Sequence, residues 1–222
     1  MKGLLSRSLA LVFGLALLPG QAWGQNLADF DYEYLSFRGF SLEGGHLWPT
    51  KVDPTYSVGI RMDLGYLGPG LRIVPGISYW SSTMKEGEVA DLERKIRDLV
   101  LDPFSSVDPP DLGEIEWSDL ALSLDGQFVW SIPFDLLSFV GAGLTAHIMN
   151  GDGTAISGTF VEDLLDSVAA GINFHAGLEY PMSDLFRLYG VGRYEILEDL
   201  RYLEFRVGGQ IMVGQSASGE GR

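Results

Sequence analysis

The chain carries three histidines, and each is a place to look for catalysis or metal binding. They read His46-Leu47-Trp48, His147-Ile148-Met149 and His175-Ala176-Gly177. A Ser-His-acid site is a spatial arrangement, so these triplets alone assign no nucleophile. Two histidines are also too few ligands to define a metal centre. The loop NGDGTAISG (150–158) sets Asn150 and Asp152 among glycines. A calcium loop needs about five or more oxygen ligands at fixed spacing, so this stretch reads as a flexible turn. No glycine-rich loop leaves a strand and opens a helix to cradle phosphate. The sequence therefore implies no cofactor, no metal and no enzyme, and His147 and His175 read as members of an internal polar network.

The first residues belong to export rather than to the fold. Lys2 and Arg7 precede the apolar run LALVFGLALL (9–18), which is too short to span a bilayer. Pro19 and Gly20 break the run, and Ala22-Trp23-Gly24 offers small residues to a signal peptidase. Residues 1–24 are thus expected to be a cleaved signal peptide, 25–214 the folded domain and 215–222 a polar tail. The chain has no cysteine, so an exported form has no disulfides. A formal charge of −15 argues against nucleic acid as a partner.

What positions the polar residues is a period of two. In YSVGIRMDLGY (56–66) every second residue is apolar, with Arg61 and Asp63 on the other face. Similar alternation recurs in 71–81, 120–130, 138–148, 170–180, 186–196 and 203–213. A weaker first segment, 34–47, shifts parity between Phe37 and Phe40, as a bulge near Gly39 would explain. These are eight candidate strands. Leu67 to Gly70, Ser131 to Asp135 and Pro181 to Asp184 read as tight turns, whereas 83–114 and 149–168 are long connections. Each long connection carries a helical stripe. Val89, Leu92, Ile96 and Leu99 form one; Val161, Leu164, Leu165 and Val168 form the other, behind a Thr159/Glu162 capping pattern. The stripes suit packing on a barrel rim or on each other; a lid or a lipid contact is the alternative.

The residues opposite the apolar sets include Arg38, Glu43, Arg61, Asp63, Arg72, Asp125, Glu179, Arg187, Arg193, Glu195, Glu204 and Arg206. The two signs balance there, although the chain is acidic. The excess acid lies in loops: 83–114 holds nine acids and four bases, and 149–168 holds four acids and no base. A balanced charged face fits the inside of a narrow eight-stranded barrel, where side chains fill the interior and each charge needs a partner. The apolar face then looks out at lipid. Tyr56 and Tyr66 lie ten residues apart. That spans about 25 Å along the normal at a tilt of roughly 40°, the height of an outer-membrane apolar band. Tyr56, Tyr66, Tyr79, Trp130, Tyr180 and Tyr194 are the expected aromatic girdle. A soluble eight-stranded barrel with its apolar face inward competes, but it leaves the paired charges and glycine rows unexplained.

The signal peptide, the eight alternating segments and the short-turn, long-loop asymmetry resemble the small OmpA-, OmpX- and OmpW-like outer-membrane barrels over about 30–214. The resemblance implies an all-β, up-and-down transmembrane barrel in the bacterial outer membrane, with helices in two external loops. It implies outer-membrane lipid and the barrel assembly machinery as partners, and a monomer. Two departures stand out. The last strand ends in valine and a polar tail where such proteins usually end in an aromatic residue. No second periplasmic domain follows, so peptidoglycan binding is not implied. Lipid A deacylases on this scaffold use a His-x-Ser pair, and none of the three histidines has one. The expected role is structural or surface interaction around a charge-plugged lumen. A narrow pore or lateral transporter for small or apolar solutes is the alternative, and a lipid-modifying enzyme the third.

Overall fold

The computed structural model describes residues 35–100 and 111–213. The signal and tail segments, and residues 101–110 of the first long connection, lie outside the described residues. The chain forms one antiparallel sheet closed into a barrel. Its strands are β1 (Gly39–Pro49), β2 (Thr55–Asp63), β3 (Tyr66–Gly68), β4 (Leu71–Thr83), β5 (Glu116–Ile132), β6 (Leu136–Asp152), β7 (Ser167–Ser183), β8 (Phe186–Leu197) and β9 (Arg201–Met212). The fold is eight-stranded in substance, because β3 continues β2 after a break at Leu64 and Gly65. First and last strands pair from Gly39 with Met212 to Pro49 with Tyr202, which leaves the sheet no open edge.

Alternation fixes which face is which. The outward residues, among them Leu42, Val58, Leu144 and Val207, are apolar and exposed. The inward ones, among them Glu43, Arg72, Glu179 and Arg206, are charged and buried. The soluble, apolar-inward barrel is therefore excluded.

Three expectations change. β1 begins at Gly39, so the parity shift falls just before the strand, where Leu35 and Phe37 are both exposed. The segment 56–66 is not one strand. Gly65 takes a left-handed φ of +76°, and its N–H donates to Asp63 Oδ1 at 2.8 Å. The local break reverses parity and turns Tyr66 inward, where it is only 3% exposed. Tyr66 is thus not part of a girdle, and the Tyr56–Tyr66 spacing does not measure a membrane. Lastly, β5, β6 and β7 run 17 residues each, well beyond the 11 of the alternating segments, and extend past those segments at both ends.

The first stripe lies on a helix, α1 (Glu86–Val100), but the second is only partly helical: α2 (Phe160–Leu165) ends before Val168, which stands exposed on β7, and Leu164 is exposed as well. Thr159 caps α2, its hydroxyl accepting from Val161 N at 3.3 Å.

Candidate functional site: the filled lumen and its outer cap

Reading inward residues strand by strand gives three layers. At the short-turn end Tyr66, Val129, Phe139, Tyr189 and Val191 form a small apolar cluster. Arg38 stands at this mouth with its guanidinium 5.0 Å from the centre of the Tyr66 ring. It stacks there instead of joining a carboxylate.

Above the cluster lie the charges. Arg72 grips Glu179 with both terminal nitrogens and also donates to Gln127 from Nε at 3.1 Å. Asp63 sits 3.7 Å from Arg72 and accepts from Gln210 at 3.0 Å. Arg187 approaches the other side of Glu179 at 3.6 Å. A second group centres on Glu43, which takes Arg206 at 2.5 Å, Arg61 at 3.5 Å and the Tyr189 hydroxyl at 2.8 Å. Arg206 reaches on to Glu204 at 2.6 Å, and Glu204 accepts from Ser57. A third group joins Arg193 to Asp125 and to Glu195, each at 2.9 Å. Asn173 donates to Asp125 at 2.9 Å and links through His175 to Gln127, so the first and third groups connect across the lumen. Every carboxylate in these groups has a cation, which is what burial demands.

Glycines on the inward face make this possible. A Cβ on Gly143 would collide with the Asp125 carboxylate and sit 2.6 Å from Asn173 Nδ2. On Gly45 it would press on Arg206 and Ser57 at 2.8 Å.

Histidine chemistry is spent within the wall. His147 lies 2.7 Å from Asp119 through Nδ1 and 3.5 Å from Glu195 through Nε2. Thr145 donates to the same Glu195 oxygen at 2.5 Å. All four side chains are buried. His46 faces outward instead, packed between Trp48 and Tyr56 with ring centroids at 4.6 and 4.9 Å. Among the described residues no group of three or more His, Asp or Glu could hold a metal ion.

The third layer is an apolar cap at the long-loop end. Leu47, Trp80, Trp117, Met149, Leu197 and Tyr202 point inward there, one from each of six strands. Val89 and Ile96 of α1, Val161 of α2 and Ile115 and Ile156 of the connections complete the cluster. Trp117 Nε1 donates to Leu165 O at 3.4 Å, so α2 is tied over the rim. The helices therefore pack on the rim as a cap. Sequence reading named neither this layer nor Asp119, Tyr189 and Thr145. The signal was present in parity: the inward series on each of these strands changes from polar to apolar near its outer end.

Five of the expected girdle residues, Tyr56, Tyr79, Trp130, Tyr180 and Tyr194, do stand on the outward face. Tyr56, Tyr79 and Tyr194 lie toward the long loops, with Trp48; Trp130 and Tyr180 lie toward the short turns, with Phe40 and Phe128.

With the geometry in place, known structures can be compared. Neisserial surface protein A matches with a TM-score of 0.54 at 12% identity, over 79% of this chain and 97% of that one. The fold is that of the small outer-membrane β-barrels. The N-terminal barrel domain of Pseudomonas aeruginosa OprF also aligns, at 12% identity and a TM-score of 0.47, over 79% and 97%. A major outer membrane protein of Thermus thermophilus does so at 14% and 0.47, over 79% and 99%. No protein-family model and no curated protein sequence matches the chain.

Proposed function

We propose that this protein is an integral barrel of the bacterial outer membrane with a closed lumen, and that its role is structural or surface interaction. One observation carries the reading. The lumen is occupied at three successive levels, by an apolar cluster, a paired charge network and an apolar cap. A channel needs a continuous polar path, whereas among the described residues apolar layers lie above and below the charges. Catalysis on lipid is disfavoured because the imidazole of His147 is taken by two carboxylates beneath the cap, out of reach of an outside substrate.

The apolar belt between two sets of aromatic residues supports lipid as the solvent of the outer face. The short turns and both described chain ends then lie on the periplasmic side, and the capped end faces out. Protein refolded in detergent should run at a heat-modifiable position on a gel, with a β-rich circular dichroism spectrum. A monodisperse native form without detergent would reject the membrane reading. A cysteine placed at Asp111 should label on intact cells, and one at Pro69 only after the outer membrane is opened. In planar bilayers the protein should show no steady conductance. A large, steady current would give the pore reading first place.

A further inference from the structure

The three tight turns raise a question that the barrel alone does not answer. Each carries a large apolar side chain in the open: Leu67 in the first, Phe134 in the second and Leu185 in the third. Phe134 is 87% exposed and Leu185 69%, and Met182 beside the third turn is exposed as well. Phe134 also holds a left-handed φ of 71°, and Asp135 follows at 56°. The loop between Ile132 and Leu136 has three residues, two of them in succession at positive φ, a conformation that favours Gly or Asn because a side chain there is strained. Among the described residues little packing offsets the strain at Phe134. Such an outlier points to a use outside the fold.

The height of the wall says what that use is. On β5 the outward face turns apolar at Leu120, above which stands Ser118, and stays so down to Ile132 and the turn. On β7 it is apolar from Val168 to Met182. The stretches cover about 30 Å on β5 and about 35 Å on β7 along the normal, at about 3.3 Å per residue and a tilt of roughly 40°, against about 25 Å for an apolar band. The outer end has polar residues to mark its limit, Ser118 on β5 and Asn150 on β6. Towards the turns the apolar surface runs on without a break into Phe134, Met182 and Leu185.

We propose that the apolar side chains of the short turns are anchors seated in the inner leaflet of the outer membrane, while the turn backbones stay at headgroup level, open to the periplasm. Phospholipid at the boundary of headgroup and acyl chain covers Phe134, Met182, Leu185 and Leu67. The proposal rests on the membrane reading above and deepens it. The surplus apolar height is met by seating the barrel deep towards the periplasm and thickening the bilayer locally, the usual responses to mismatch. Asp135 and Asp184 then lie among the headgroups, beside the apolar tips.

The chain has no cysteine, so single nitroxide labels can be placed freely. Labels at Phe134→Cys, Leu185→Cys and, as a reference in mid-wall, Leu124→Cys are read in full-length protein refolded into phosphatidylcholine–phosphatidylglycerol vesicles. Collision with oxygen, which concentrates in lipid, is compared with collision with a water-soluble nickel chelate. Labels at 134 and 185 should collide more with oxygen, giving a depth parameter of the same sign as at 124. The opposite sign at 134 and 185, with 124 still in lipid, would overturn the anchor and leave the tips free for a periplasmic protein. A nickel-dominated signal at 124 itself would reject the membrane reading and the anchor with it.

Discussion

On β5 the inward residues run from Gln127 and Asp125 through Ala121 and Asp119 to Trp117. On β9 they run from Gln210 and Arg206 through Glu204 to Tyr202. The lower part of the barrel is thus filled with charge, and the upper part with aromatic and aliphatic side chains. The outward face changes in the opposite sense. Leu120, Leu124 and Phe128 stand outside the charged section, whereas Glu116, Asn150 and Asp152 stand outside the cap. A wall needs one apolar side to be stable. Within lipid that side is outside, and the interior must satisfy its own polar groups. Above the lipid the outside is wet, and the interior becomes an ordinary hydrophobic core, α1 and α2 included. Two stabilising principles share one set of strands, and substitutions in each should fail differently.

The largest loss is expected in the charged section. Arg72 is buried and holds Glu179 by two bonds, with Gln127 and Asp63 as further partners. Arg72→Ala leaves Glu179 with only Arg187 at 3.6 Å. A buried charge stripped of its partner costs about 3–5 kcal/mol. Urea unfolding of the refolded protein should show that loss, almost unchanged by added salt because the pair is dry. The double variant Arg72→Met/Glu179→Met should recover part of it, since it removes both charges of the main pair but leaves Asp63 without its cation. A single variant as stable as wild type would mean that water fills the lumen.

Next in size is the cap. Trp117→Ala removes an inward aromatic packed against α2 and should cost about 3 kcal/mol of local stability. The barrel wall should hold while the cap loosens. Amide exchange should therefore quicken in α1 and α2 long before it does in β8 or β9. Loss of protection everywhere at once would show that cap and charged section form one cooperative unit.

A third comparison uses glycines on the two faces. At Gly143 a methyl group would strike Asp125 and the Leu124 carbonyl. Gly143→Ala should cost about 1–3 kcal/mol through overpacking. Gly44 faces outward, and a Cβ there meets nothing closer than Ser57 O at 3.9 Å. Gly44→Ala should leave thermal stability in detergent unchanged or slightly raised. Equal losses at both sites would remove the distinction between a crowded inside and an open outside.

Much of the barrel is legible from the sequence because a strand has a period of two and only one of its faces meets lipid. Glu43, Asp125, Arg193 and Arg206 can be set inside by counting alone. Counting fails where parity breaks. At Leu64 and Gly65 one irregular step carries Tyr66 from the expected outer face to the lumen. Partner choice is not legible either: Arg72 meets Glu179, 107 positions away, because barrel closure and stagger bring β4 and β7 across from each other. The cap is hidden for a different reason. Leu47, Met149 and Leu197 look like any apolar strand residue until the polar outer neighbours show that the wall has left the lipid.

The smallest effect expected lies at the edge of the cap. Thr159 holds the start of α2, accepting from Val161 N at 3.3 Å and donating to Ile156 O at 2.6 Å. Glu162 reaches back to Gly158 N at 2.5 Å, so both halves of the terminus are tied. Thr159→Ala removes one half and should cost about 1 kcal/mol. The helix has six residues, too few to persist without its contacts, so the loss falls on α2 and the connection beside it. Proteolysis in 153–166 should quicken a few-fold, at about 1.4 kcal/mol per tenfold change in the open fraction. The charged section shares no contact with Thr159, so urea unfolding of the wall should not move. A shift of the whole transition by Thr159→Ala would mean that the cap transmits its stability to the membrane section, and the two interiors would have to be treated as one.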